Sequence, residues 1–202
     1  MVSTVDDTAL IARAKRGNLD AYNALVLRHQ DSAYTLAYRL MGDPHSAADT
    51  VQDAFISAWR KIDTYRGGSF RAWLLRIVTN RCYDVLRGQQ RRPTVSMDGG
   101  RDDDDPEPLE LPDAGETPEA AALRRELQRA IQQCISALGE DQRVVLVLSD
   151  VEGLSYDDIA EQTRAQLGTV KSRLSRARAA VRDCLQGVRE LLPGGYRLKE
   201  DA

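Results

Sequence analysis

Apolar residues return at helical spacing along the N-terminal half of the chain. The groups are Leu10, Ile11 and Ala14; Tyr22, Leu25, Val26, Tyr34, Leu36, Ala37 and Leu40; Val51, Ala54, Phe55, Ala58, Trp59 and Ile62; then Phe70, Trp73, Leu74, Ile77, Val78, Tyr83 and Leu86. Recurrence at i, i+3, i+4 and i+7 marks a helix that buries one stripe and exposes the rest. Turn signals at Gly17, at Gly42-Asp43-Pro44 and at Gly67-Gly68 divide the pattern into four helices. Two-residue alternation does not persist anywhere, so no strand is expected. All of the chain's two Phe and two Trp fall here, and Phe55, Trp59, Phe70 and Trp73 are expected to anchor the core.

The C-terminal part opens on Thr117-Pro118-Glu119, a capping threonine, a proline at the first helical position and an acid in the first turn. A helix should run from there to about Leu138. Glu140-Asp141-Gln142 starts a short apolar helix from Arg143 to Asp150, closed by Glu152-Gly153. Ser155-Tyr156-Asp157-Asp158 resembles a capping box that opens another short helix. After a break at Thr163-Arg164-Ala165-Gln166 comes a helix from about Gly168 to Asp183. Its Val170, Leu174, Ala177 and Val181 form a buried stripe, while Lys171, Arg173, Ser175, Arg176 and Arg178 point mostly elsewhere. A short helix, a tight turn and a longer basic helix make a helix-turn-helix, which lays its second helix in the DNA major groove.

Charge separates the chain into three parts. Residues 1–96 carry +5, residues 97–119 carry −9 and residues 120–202 carry +1, within a total of −3. Residues 162–182 hold six Lys or Arg and no acid, so the basicity is local even though the sequence pI is near 5.5. Residues 97–117 contain three prolines, three glycines and no aromatic, and cannot bury enough apolar surface to offset their ordering entropy. The expected architecture is all-α: two small helical domains, residues 1–95 and 118–202, joined by a flexible acidic linker, residues 96–117, with the helix-turn-helix in the second domain.

Several function classes drop out. No apolar run approaches the roughly 20 residues of a membrane span, and the N-terminus lacks the layout of a signal peptide, so a cytoplasmic location and no membrane partner are expected. Cys82, Cys134 and Cys184 are widely spaced, with no C-x-x-C and only His29 and His45 beside them, and are read as buried thiols with no metal or redox role. Neither a phosphate-binding glycine loop nor a nucleophile-base-acid set is present, so no enzyme activity, catalytic residue or cofactor is expected.

Three constellations bear on nucleic acid and protein contact. On the basic helix, Lys171, Arg173, Arg176 and Arg178 suit phosphates or guanine acceptors, and Thr169, Ser172 and Ser175 can donate to phosphate or base edges. From Asp63 to Arg81, aromatics and arginines interleave around a glycine pair, a surface suited to single-stranded nucleic acid. Within it Arg76 and Asn80 lie one turn apart on one face, whereas the spacing of Trp73 with Ile77 also fits packing. Asp49, Gln52 and Asp53 share a helix face opposite the aromatic one, which taken alone is a solvated acidic face.

Taken together the segments resemble a sigma-70 family RNA polymerase sigma factor of the extracytoplasmic function (ECF) subfamily. The resemblance rests on Ala48-Asp49-Thr50-Val51-Gln52-Asp53-Ala54-Phe55 with Ala58-Trp59; on Phe70-Arg71-Ala72-Trp73-Leu74 with Ile77 and Asn80-Arg81; and on Leu154-Ser155-Tyr156, Ile159-Ala160 and Gly168-Thr169-Val170-Lys171-Ser172-Arg173-Leu174. It implies that Asp49, Gln52 and Asp53 dock on the clamp helices of the polymerase largest subunit. Tyr65, Arg71, Trp73, Arg76 and Asn80 would hold the unpaired strand of the −10 element. Thr169, Lys171, Ser172, Arg173, Ser175 and Arg176 would read the −35 element, with the second domain also touching the polymerase flap. The linker would thread toward the active-site cleft and RNA exit path, and an anti-sigma protein would hold the factor inactive.

The chain departs from the family pattern at Arg164, where glycine is usual: either a residue there adopts positive φ at a cost of roughly 1 kcal/mol or the turn differs. Ala48 stands where an acid is frequent and Thr50 where an aliphatic is. Two other readings compete with the sigma reading, a stand-alone dimeric helix-turn-helix regulator and a protein adaptor without a DNA role.

Overall fold

The computed structural model describes residues 7–91 and 117–191. The expected linker, apart from Thr117, and the C-terminal tail beyond residue 191 lie outside the described residues. Four helices form the first domain: α1 (Asp7–Ala14), α2 (Leu19–Met41), α3 (Pro44–Arg60) and α4 (Phe70–Arg91), with a 3-10 turn at Ile62–Thr64. The second holds α5 (Pro118–Ser136), α6 (Glu140–Leu146), α7 (Tyr156–Thr163) and α8 (Leu167–Gln186). No strand occurs among the described residues, and none of their helices is long and apolar enough to cross a membrane.

The helix ends follow from local chemistry. Asn18 accepts from the Ala21 amide at 2.7 Å to start α2, and Asp43 accepts from Ser46 at 2.6 Å, ahead of Pro44, to start α3. Thr117 and Ser155 cap α5 and α7 in the same way. Each side-chain oxygen satisfies an amide that has no partner within its own helix. Between α6 and α7 the chain widens into a π turn over Val147–Val151, where the Glu152 amide reaches back five residues to the Val147 carbonyl at 2.9 Å. The sequence pattern had carried a regular helix through this stretch.

One apolar cluster surrounds α1 and the start of α4, with Leu10, Ile11, Leu25, Phe70 and Leu74 at its centre. Of the four expected aromatic anchors only Phe70 is buried; Phe55, Trp59 and Trp73 pack around the cluster while partly exposed. Long aliphatic side chains on the inner faces of α2 and α4 fill the space instead, Leu25, Leu36, Leu74 and Leu75 being almost wholly enclosed.

The larger cluster is shared between the two domains. Leu36, Leu40, Leu75 and Val78 of the first join Ile135, Leu138, Val145, Val147 and Leu148 of the second, together with Val170 and Leu174 of α8. The domains are therefore packed on each other through apolar surface. At the seam, the Arg143 guanidinium donates to the Leu40 carbonyl at 2.9 Å and to the carbonyls of Ser136 and Leu138 at 2.5 and 2.9 Å. One cation thus satisfies the C-terminal ends of α2 and α5 at once. Gly42, at φ 78°, ends α2, and a Cβ there would meet Ser136 Oγ of α5 at 3.3 Å.

The expectation of three buried free thiols is corrected. Cys134 on α5 and Cys184 near the end of α8 form a disulfide, Cα to Cα 5.7 Å, and Cys184 is exposed. Only Cys82 remains a buried free thiol among the described residues, its pKa pushed up to about 12 by burial. Helical spacing places a cysteine on a face but says nothing about which other helix meets that face.

Candidate nucleic-acid and polymerase interfaces

In α8 the stripe of Val170, Leu174 and Ala177 is fully buried, which turns Lys171, Ser172, Ser175 and Arg176 outward and leaves Thr169 and Arg173 half-buried. The basic residues differ in their tethers. Arg173 is paired with Asp141 of α6, and Arg178 grips the Asp150 carboxylate with two hydrogen bonds of 2.8 and 2.6 Å. That grip holds the Asp150 carboxyl below its ordinary range. Among the described residues Arg176 hydrogen-bonds only within its own helix, donating from Nε to the Ser172 carbonyl at 3.2 Å. Lys171, Ser175, Arg178 and Arg182 line an open groove beside Tyr156 at the start of α7. This is a cationic, hydroxyl-bearing face on a rigid helix.

The turn that aims α8 is closed by Arg164 in the left-handed region, φ 53° and ψ 34°, and by the Ala165 amide donating to the Ala160 carbonyl at 3.1 Å. Of the two alternatives at this position, the arginine adopts positive φ.

Of the residues expected to meet a single strand, Tyr65 is buried. Its ring packs edge-on against Phe70 and Trp73, its hydroxyl donates to the Gly68 carbonyl at 2.7 Å, and Lys15 donates to its carbonyl at 2.6 Å. Burial raises its phenol pKa, with Asp7 adding to the effect. Tyr65 thereby shapes the loop through Gly67 and Gly68, both at positive φ. Trp73 is half-buried, its ring centroid 5.4 Å from that of Phe70, and borders the same depression as Arg76.

Arg71 and Arg76 point across the domain seam. Arg71 donates to the Glu152 carboxylate and carbonyl and, at 3.1 Å, to Ser32 Oγ; the Ser32 hydroxyl donates to the same carboxylate. Arg76 pairs with Glu161 of α7 at 2.9 Å, and Gln162 donates to the Ala72 carbonyl at 3.0 Å. Asn80 is exposed in a cleft that Glu140 and Asp141 line from the other side. The basic face of α4 is thus met by carboxylates of the second domain. Asp49, Gln52 and Asp53 are exposed together on α3, with Asp53 paired to Arg81 at 2.5 Å, and Ile56 adds an exposed apolar residue to that face.

The contacts of Ser32, Arg143, Glu152 and Gln162 were not anticipated from the sequence. Glu152 had been read as part of a helix-ending turn, because a lone acid before glycine gives no sign that it is buried against a partner 81 positions away.

Comparison with known proteins gives these surfaces their context. The profile of Sigma-70 region 2 matches residues 25–92, and that of Sigma-70, region 4 matches residues 128–181. The chain belongs to the ECF group of sigma-70 family sigma factors. Region 2 thereby falls on α2 to α4, and region 4 runs from the latter part of α5 into α8. This ECF sigma factor is 38% identical over 187 residues to the RNA polymerase sigma-H factor of Pseudomonas aeruginosa, covering 92% of this chain and 97% of that protein. It is 36% identical over 194 residues to the ECF RNA polymerase sigma-E factor of Escherichia coli K12, with coverage of 92% and 97%. Among solved structures it resembles CnrH in complex with the cytosolic domain of CnrY, at 30% identity and TM-score 0.64, covering 90% of this chain and 97% of that one. It also resembles the sigma factor RpoE of Bartonella quintana in complex with the anti-sigma factor NepR, at 26% identity and TM-score 0.64, with coverage of 82% and 96%.

An ECF sigma factor is a transcription initiation factor that binds core RNA polymerase and recognises promoter DNA through regions 2 and 4. The stand-alone regulator reading falls, because region 2 occupies the part of the chain that reading leaves without a role. The adaptor reading falls with it.

Proposed function

We propose that this sigma factor, acting in the cytoplasm without enzymatic turnover of its own, divides promoter recognition between the two faces described above. Thr169, Lys171, Ser172, Arg173, Ser175 and Arg176 on α8 read the −35 element as duplex in the major groove. Arg71, Arg76 and Asn80 on α4, with the loop that Tyr65 and Trp73 shape, hold the unpaired strand of the −10 element. Asp49, Gln52 and Asp53, with Ile56 beside them, dock on the clamp helices of the polymerase largest subunit, and the second domain meets the flap. An anti-sigma protein is a further partner, by analogy with the complex of the Bartonella factor.

The observation that carries this reading is the pairing of Arg76 with Glu161 and of Arg71 with Glu152. Cations suited to phosphates are held by carboxylates of the reader domain, so the packed form is the resting form and the domains separate when polymerase binds.

The test is transcription from a selected promoter with purified core polymerase and the Asn80→Ala variant, following closed-complex binding and strand opening separately. Loss of opening with closed-complex binding retained is expected. Equal loss in both assays refutes the single-strand role.

A further inference from the structure

The Cys134–Cys184 disulfide lies outside both promoter faces and has no part in the function above. Its position is informative. Cys134 is 3% exposed on the face of α5 that meets α8, whereas Cys184 is open to solvent. The other side of α5 carries the domain seam. Gln132 donates to the carbonyls of Tyr38 and Arg39 on α2 at 3.4 and 3.5 Å and to Ser136 at 3.1 Å, and accepts from the Arg39 guanidinium at 3.0 Å. Helix α5 therefore stands between the first domain and the end of the recognition helix, with a covalent bond on one side and a hydrogen-bonded dock on the other.

We propose that Cys134 and Cys184 form a reversible thiol–disulfide site within the second domain, whose oxidation fixes α5 against α8 and so steadies the dock of α5 on α2, and whose reduction loosens that dock and with it the packing of the two domains. The inference rests on the cytoplasmic, domain-separating reading above, since disulfides in a reducing compartment are mostly transient or sensing bonds. The disulfide closes a loop spanning 50 positions that contains α6, α7 and most of α8. Closing such a loop limits how far α5 can part from α8, so the surfaces that dock on α2 stay in register. Exposure of Cys184 gives exchange partners a point of entry, and exposed disulfides are the more labile ones. Cys82, enclosed and with a raised pKa, takes no part.

The chemistry balances with a low-molecular-weight disulfide as oxidant. The Cys184 thiolate attacks one of its sulfurs, forming a mixed disulfide and releasing one thiol. The Cys134 thiolate then displaces the second thiol from Cys184. Two electrons and two protons pass from the protein dithiol to the small disulfide, which leaves as two thiols; excess thiol reverses both steps.

The full chain is equilibrated with oxidised glutathione or with dithiothreitol, its thiols are mapped by differential alkylation and mass spectrometry, and its radius of gyration is measured by solution scattering. A Cys134–Cys184 linked peptide is expected in the oxidised sample, both cysteines alkylated in the reduced one, and Cys82 unlabelled until denaturant is added. Reduction is expected to enlarge the radius and to lower the thermal midpoint by on the order of 10 °C. Cys184→Ser, at an exposed position that tolerates the change, should match the reduced wild type in both buffers. Free Cys134 and Cys184 in the oxidised sample, or one radius in both states, overturns the proposal. Core polymerase binding is measured on the same samples: tighter binding when reduced supports the proposal. If neither state binds polymerase, the function reading fails while the thiol map and radius still decide the redox site.

Discussion

The guanidinium of Arg71 and the carboxylate of Glu152 meet across the domain seam, with Ser32 Oγ completing the contact. The pair is lopsided: the Arg71 side chain is 35% exposed and that of Glu152 only 3%. Removing the arginine strands a buried charge, whereas removing the acid leaves a cation that water can reach.

Arg71→Ala should therefore open the molecule more than Glu152→Gln does. An uncompensated buried carboxylate costs about 3–5 kcal/mol, and separation of the domains avoids that cost by rehydrating it. Glu152→Gln is neutral like the protonated acid, strands no buried charge and should leave the clasp closed. Dyes placed on α3 and α5 would report the distance; equal opening in both variants would show that burial of Glu152 does not control the seam.

Acid should tighten the clasp. Burial raises the Glu152 pKa, outweighing the Ser32 hydrogen bond and Arg71, which act in the opposite sense. The closed form then takes up a proton more readily than the open one. Its contribution is full below the ordinary glutamate value and is lost as pH rises through the raised one. Asp150 runs the other way: the Arg178 hydrogen bond lowers its pKa, so the anchor of α8 is present above the ordinary aspartate value and lost as pH falls through the lowered one. Interdomain distance followed between neutral and mildly acid pH should shorten in the wild type and stay nearly flat in Glu152→Gln.

On α8, Arg176 and Arg173 should respond differently to changes in their surroundings. Arg176→Ala should cost about 1–3 kcal/mol of promoter affinity if it meets a base. Arg173 must first leave Asp141, so Asp141→Asn should leave −35 binding unchanged or stronger, and Arg173→Ala should be rescued by no change at Asp141. Binding isotherms of the holoenzyme on −35 variants measure both; a weaker Asp141→Asn would mean that the ion pair positions the reader.

Arg164→Gly should stabilise the protein by about 0.5–1 kcal/mol, because glycine adopts the left-handed region without the Cβ penalty that arginine carries at φ 53°. A rise in thermal midpoint of about 1–4 °C is the expected readout. A fall would indicate that the Arg164 side chain contributes contacts outweighing its backbone strain.

Local rules explain why so many helix boundaries were readable in advance. Asn18, Asp43, Thr117 and Ser155 each cap the helix that follows, and Gly42 ends the helix before it, through bonds spanning four residues or fewer. The burial of Val170, Leu174 and Ala177 on α8 followed from a 3.6-residue period, and so did the outward direction of Lys171, Arg176 and Arg178, whereas Val181 and Arg173 are only half-buried. The π turn at Val147–Val151 did not, because a single added residue per turn leaves no mark on the apolar pattern.

The sequence alone determined that the chain is helical, where most of the helices begin and end, that one helix carries a cationic face and which family motifs it bears, because each depends on neighbours within a turn or two. Tertiary structure decided that Cys134 meets Cys184, that Arg143 closes two helix ends, and that Arg71 and Arg76 are engaged by Glu152 and Glu161. Those partners are brought together by apolar surfaces that two domains share, and a surface without a direction along the chain leaves no periodic trace of what will cover it.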